Sequence, residues 1–202
     1  MASILKVDTI QDQTGNNIIN ESADTITIGA SGDTITVPTG ATLTVPNGGL
    51  SGQNYPAFEA YLSAGQTVSD SVTTKVQFDT EVYDTNGYYD NSANYRFTPL
   101  VAGKYFVYCS ILGSAGTSNL NWIETYIYKN GSKIKEARYA FVGNPASIVN
   151  GPLSGVIDMN GSTDYLEIFG DVNTASGATG EFNEGRASDT KDTYFGAYRI
   201  GA

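Results

Sequence analysis

No histidine occurs among the 202 residues, and that absence limits the chemistry available. Serine and cysteine nucleophiles in their familiar triads need an imidazole base, and many zinc centres need the same ring as a ligand. The one cysteine, Cys109, sits inside the apolar run YFVYCSIL and reads as a small core residue. What remains is carboxylate chemistry, in which two acids about 5 to 9.5 Å apart cleave a glycosidic bond. Asp84, Asp90, Glu181, Glu184 and Asp189 fall in loop-like stretches and could supply a pair by chance. Nothing in their spacing fixes two of them in one groove. The sequence therefore assigns no catalytic residue, no cofactor and no metal ligand, and points away from an enzyme.

The formal net charge is −10, without a basic stretch of the kind that follows a phosphate backbone, so a nucleic-acid partner is not expected. No run is long and apolar enough to insert in a membrane. The N-terminus MASILKVDTI lacks the basic and apolar blocks of a secretory signal, so the sequons opening at Asn20, Asn130 and Asn160 carry no weight.

The elements that would have to position any site are strands. From residue 57 onward, alternating apolar runs such as FEAYL, KYFVYCSIL, NWIETYIYK, DYLEIFG and TYFGAYRI are separated by turn-formers, and none shows helical periodicity. The fold class is all-β, a sandwich, jelly roll or barrel over 57–202. Asn130-Gly131 and Asn160-Gly161 read as tight hairpin turns with both residues at positive φ. Long and tight connections alternate from residue 84, so antiparallel strands would gather the long loops at one end and the tight turns, with the C-terminus, at the other.

Two strands are apolar on both faces. Tyr105 and Val107 oppose Phe106 and Tyr108, while Trp122, Tyr126 and Tyr128 oppose Ile123 and Ile127. A second apolar face needs covering, either by another copy of the subunit or by the chain's own loops. The first alternative makes Tyr105, Phe106, Val107, Tyr108, Trp122, Tyr126 and Tyr128 interface residues.

Upstream the chain repeats itself: TITI at 25–28, TITV at 34–37 and TLTV at 42–45, joined by GASG and PTGA. Such short amphipathic strands cannot bury a face alone. Residues 21–48 read as a short β shaft of intertwined chains, or as a Thr/Gly-rich linker, with 49–56 as the joint. Residues 1–20 hold one small apolar pattern, Ile4, Val7 and Ile10, expected to be ordered only by docking on something else.

With these residues in place, 57–202 resembles the globular head shared by complement component C-one-q and the tumour necrosis factor superfamily. Phe78, Asp84 and Tyr89, then Phe97, Gly103 and Tyr105, follow that family's aromatic motif, and YKNGSKI and YFGAYRI resemble its strands. Phe97 sits one residue late, and Val107 and Cys109 replace two expected aromatics. The resemblance implies a ten-stranded jelly-roll head and a homotrimer, but no particular ligand. Separately, MASILKVDTIQDQTG followed by GDTITVPTGATLTV resembles the start of fibre and other virion proteins of marine tailed bacteriophages.

The two resemblances together imply a non-enzymatic trimeric virion fibre or spike, assembled in the host cytoplasm. Its partners would be two further copies of itself and, through residues 1–20, other virion proteins. The long loops would meet a host glycan or surface protein, with Tyr88, Tyr89, Asn91, Asn94, Glu181, Asn183 and Arg186 as contact candidates. The tyrosines could equally pack against a neighbouring subunit. The alternative function is a structural decoration of capsid or tail that binds no receptor.

Overall fold

The computed structural model describes residues 9–11, 17–22, 25–28, 34–42, 54–141, 143, 145–187 and 189–201. The chain divides into two compact units, 1–50 and 51–202.

In the first unit, β1 (Thr9–Gln11), β2 (Asn17–Ser22) and β3 (Thr25–Ile28) form an antiparallel meander in that order. Ile19 stands opposite Ile10 on one side and Ile28 on the other, so three isoleucines make one row on one face, each partly exposed. This differs from the sequence reading in two ways. The segment expected to need a docking partner for order already pairs with TITI. The second echo, 34–37, forms no strand and leaves Ile35 and Val37 exposed. The echoes are thus not equivalent, because β3 finds its hydrogen-bond partner upstream. Ile4, Val7 and the third echo from 43 on lie outside the described residues.

The second unit is all-β, and no helix occurs among its described residues. Its strands are β4 (Ala57–Tyr61), β5 (Gln66–Val68), β6 (Thr74–Lys75), β7 (Thr80–Asp84), β8 (Tyr89–Asp90), β9 (Arg96–Phe97) and β10 (Ala102–Ser114), then β11 (Leu120–Lys129), β12 (Ser132–Ala140), β13 (Ile148–Asn160), β14 (Leu166–Thr174), β15 (Gly180–Asn183) and β16 (Tyr194–Gly201). These thirteen exceed the ten expected because several are pieces of two to four residues.

They build two antiparallel sheets. In the first, β13 pairs with β10, whose other edge pairs with β16 along Lys104–Ser110 and with β15 along Leu112–Ser114. The sheet continues from β16 to β4 and β7, and from β15 to β5. The second runs β12-β11-β14-β9-β8, with β6 also on β14. The chain changes sheet at β5–β6, β6–β7, β7–β8, β9–β10, β10–β11, β12–β13, β13–β14 and β14–β15, which is jelly-roll connectivity.

Alternation places Tyr105, Val107, Cys109 and Ile111 of β10 inward against Ile123 and Ile127 of β11 and Leu166, Ile168 and Val172 of β14, all nearly or fully buried. Phe58 is the hub of the aromatic core, stacked on Tyr89 at 4.7 Å and Phe97 at 4.3 Å and edge-on to Phe195 at 4.8 Å. The motif aromatics Phe78, Tyr89, Phe97 and Tyr105 are therefore core residues.

Asn130 and Gly131 have φ of 52° and 75°, the tight hairpin expected between β11 and β12. Asn160-Gly161 is no hairpin, because β13 and β14 lie in different sheets. Only Gly161 has positive φ there, and the Asn160 side-chain oxygen accepts from the backbone N–H of Ser162, Thr163 and Asp164.

The registers fix the polarity. Ala102 opposite Asn160 and Lys129 opposite Leu166 mark one end, and Ser114 opposite Ile148 and Leu120 opposite Thr174 the other. The tight connections lie at the first end. So do the end of β16, at Gly201 opposite Lys104, and the start of β4, since Ala57 pairs with Tyr198. The loops after β10, β12 and β14 lie at the second end, as expected. Loop 85–95 does not join them: Asp84 faces Phe58 and Phe97 faces Leu166, both toward the tight-turn end. The run YRFTPL yields only the two-residue β9, too short to carry the chain across the sheet.

Candidate functional site

The open surface of greatest interest is the outer face of the first sheet. Outward residues of β10 are Phe106 and Tyr108, and those of β16 are Tyr194, Gly196 and Tyr198. One row crosses five strands: Ser154, Tyr108, Gly196, Glu59 and Tyr83. Gly196 leaves a gap, and the Tyr108 ring lies in it; a Cβ there would stand 2.4 Å from the ring's Cζ. The Tyr108 hydroxyl thereby reaches the strand beyond and donates to Glu59 Oε2 at 2.8 Å. Burial, followed by hydrogen bonding with Tyr83 and Glu59, raises the Tyr108 phenol far above its ordinary range. Burial likewise raises Tyr194.

Phe106 lies 6.1 Å from Tyr108 and 5.6 Å from Tyr198, and Tyr108 lies 6.2 Å from Tyr194, so the rings form one continuous patch. Two shallow grooves flank it. One, of about 550 Å³, lies among Tyr55, Ala57, Tyr83 and Tyr198. The other, of about 430 Å³, lies among Phe106, Tyr108, Leu153 and Tyr194. None of the cation–ring contacts among the described residues falls on this patch.

The outer face of the second sheet is also aromatic, yet its rings are already covered. Arg138 sits 4.5 Å over Trp122, Lys133 4.7 Å over Tyr126 and Lys75 5.7 Å over Phe169, against which Tyr128 packs at 4.3 Å. Each cation is also ion-paired, Arg138 with Glu124, Lys133 with Glu136 and Lys75 with Glu167.

These facts correct the interface expected from sequence. Tyr105 and Val107 have no exposed surface and belong to the subunit's own core. Trp122 and Tyr126 face away on the other sheet, each under one of the chain's own cations, and Tyr128 packs there against Phe169. Of the expected set, Phe106 and Tyr108 lie on the open patch, beside Tyr55, Tyr83, Tyr194 and Tyr198, which sequence reasoning did not single out. The alternation of Tyr194, Gly196 and Tyr198 within YFGAYRI was the available signal.

The expected ligand residues do not converge. Tyr89 is a core anchor, 6% exposed, whose hydroxyl donates to the Phe78 carbonyl at 3.0 Å. Tyr88, Asn91 and Asn94 lie with it at the tight-turn end. Glu181 pairs with Ser114 at the opposite end, and the Asn183 amide donates to Ser114 Oγ. Arg186 is exposed in the loop before β16, where its N–H donates to Asp192. Among the loop acids, Asp84 and Asp90 share the tight-turn end, away from Glu181. Asp84 accepts from the N–H groups of Asn86, Gly87 and Tyr89, and Asp90 from those of Ser92, Ala93 and Asn94. These bonds hold the Asp90 carboxyl far below the usual range, those from Ala93 and the Asn94 side chain contributing most. Both acids shape their own turns at the end remote from Glu181. Among the described residues no acidic or cysteine cluster could hold a metal ion.

No protein-family model matches the chain, and no curated protein matches it. Among solved structures, the Eiger TNF of S. frugiperda aligns at 10% identity and a TM-score of 0.49, covering 73% of this chain and 94% of that one. Murine APRIL at pH 8.0 aligns at 12% identity and a TM-score of 0.49, covering 71% and 98%. At this degree of likeness, the fold assignment rests on the strand pairing itself.

Proposed function

We propose that the chain is the subunit of a non-enzymatic, homotrimeric fibre or spike of a tailed-bacteriophage virion, assembled in the host cytoplasm. The observation that carries self-association is the uncapped aromatic patch of Phe106, Tyr108, Tyr194 and Tyr198. Rings lacking any cation over them, beside two open grooves, are the kind of surface that another protein covers. The chain enters the head at the tight-turn end, so the loops after β10, β12 and β14 face away from the point of entry and are the part free to meet a host surface. The isoleucine row of β1–β3, with Ile4 and Val7 upstream, offers an apolar contact for another virion protein. Weak host contacts would gain from three copies acting together.

Native mass of the full chain tests the assembly. Three copies are expected at micromolar concentration, and Phe106→Glu should give monomers with an unchanged circular dichroism spectrum. A monomeric wild type would sink the proposal. Replacing the far-end loops should abolish particle adsorption. Unchanged adsorption with an intact trimer would leave the decoration reading, which the scattering of the expected ligand residues favours.

A further inference from the structure

The outer face of the second sheet contains a row that the covering cations do not neutralise. Glu124 of β11 stands opposite Arg138 on one side and Asp171 of β14 on the other. Two carboxylates are thus direct cross-strand neighbours, an unfavourable pairing when both are ionised. Glu124 is well served: Arg138 Nη1 lies 3.4 Å from Oε1, and the Tyr126 hydroxyl donates to Oε2. Asp171 is not. It is 5% exposed, and among the described residues its Oδ2 accepts only a long bond of 3.4 Å from Thr73 Oγ1 while its Oδ1, without accessible surface, has no hydrogen-bond partner.

A third carboxylate approaches from the segment that crosses β14. Asp70 Oδ1 accepts from the Thr174 N–H at 2.6 Å and the Asn173 amide at 3.5 Å, and the Ser71 N–H donates to the Val172 carbonyl at 2.8 Å. Asp171 is therefore faced by Glu124 and Tyr126 from β11, by Arg138 from β12 beyond Glu124, and by Asp70 and Thr73 from the crossing segment. Only one of these groups is a cation, and it is engaged by Glu124.

An orphaned acceptor without accessible surface has no room for a solute hydroxyl or a coordinated ion. A proton needs no room. It would remove the charge that burial disfavours and, with it, the repulsion from Glu124 and Asp70. We propose that Asp171, buried across the strand pair from Glu124, is a proton-binding site that latches residues 69–73 onto β14. With Asp171 neutral, the Ser71 and Asp70 bonds close over the sheet. With it ionised, repulsion of Asp70 loosens the strap.

Burial, then the Glu124 charge, raises the Asp171 carboxyl to about 6, with Asp70 adding and Thr73 and Arg138 opposing. A carboxyl raised in the folded state contributes stability that is fully present below its unfolded value near 4 and is lost as pH rises through about 6. The latch is closed in mild acid and opens toward neutrality.

Hydrogen exchange of the full chain at the Ser71 and Thr174 amides, expressed as protection factors, reads the latch. Protection should fall by roughly tenfold between pH 5 and pH 7.5, a change of about 1.4 kcal/mol. Asp171→Asn, which cannot ionise, should hold the protected value at both. Glu124→Gln keeps an acceptor for Tyr126 and removes the opposing charge, so it should flatten the pH response even where the first variant fails to fold. Equal protection of the wild type at both pH values, or an undiminished response in either variant, overturns the proposal.

Discussion

The Tyr108 ring fills the space that a side chain at Gly196 would occupy, one strand away from its own. A methyl group at residue 196 would meet the outer end of that ring, which can swing outward. Gly196→Ala should therefore cost the isolated fold only about 1–3 kcal/mol. It should strip the hydroxyl from Glu59 and roughen the proposed association face. Native mass against concentration checks this, with Tyr108→Phe, which keeps the ring, predicted to associate far more tightly than Gly196→Ala.

Tyr88 and Tyr89 are adjacent but should behave as opposites. Tyr89 stacks on Phe58 and is buried, so Tyr89→Ala should cost about 3–5 kcal/mol in urea unfolding. Tyr88 only packs against the core's rim, so Tyr88→Ala should cost well under half of that. Equal effects would contradict the placement of the loop.

At the tight-turn end, Asp164 gathers Lys129 at 2.8 Å, the Asn130 amide at 2.7 Å and the Asn160 N–H at 2.9 Å. Burial pulls its carboxyl upward, but these partners together outweigh it and leave it below the usual value. A depressed carboxyl contributes stability above its unfolded value near 4 that is lost as pH falls through the lower folded value. Asp164→Asn should accordingly be less stable than wild type at pH 6, with the gap closing in acid. Thermal midpoints across pH 2–6 test the sign.

Gly161, at φ 69°, would place a Cβ 2.2 Å from the Ala102 backbone nitrogen. Backbone cannot swing aside as the Tyr108 ring can. Gly161→Ala should exceed Gly196→Ala in its cost to folding, by about 1 kcal/mol or more, in the same urea titration.

Strand identity was legible because period-two alternation is a local signal, as in Tyr105, Val107 and Cys109, but alternation does not say which face is core, and Tyr105 and Val107 were expected at an interface. The Asn130-Gly131 hairpin was legible for the same reason. Asn160-Gly161 was misread because a dipeptide states its own φ preference and not whether the flanking strands share a sheet. The two aromatic outer faces looked alike in sequence. They differ through Arg138, Lys133 and Lys75, which come from other strands and reach the rings only once register is set. Asp171 was invisible for that reason too, since its conflict with Glu124 exists only across a strand pair.

β16 runs between β10 and β4, so the last of these strands to be translated is an interior one. Until it emerges, Phe106 and Tyr108 stand beside an empty lane, without Tyr194 and Tyr198 or the gap at Gly196 into which Tyr108 settles. Before β16 docks, therefore, the chain presents only half of the aromatic patch.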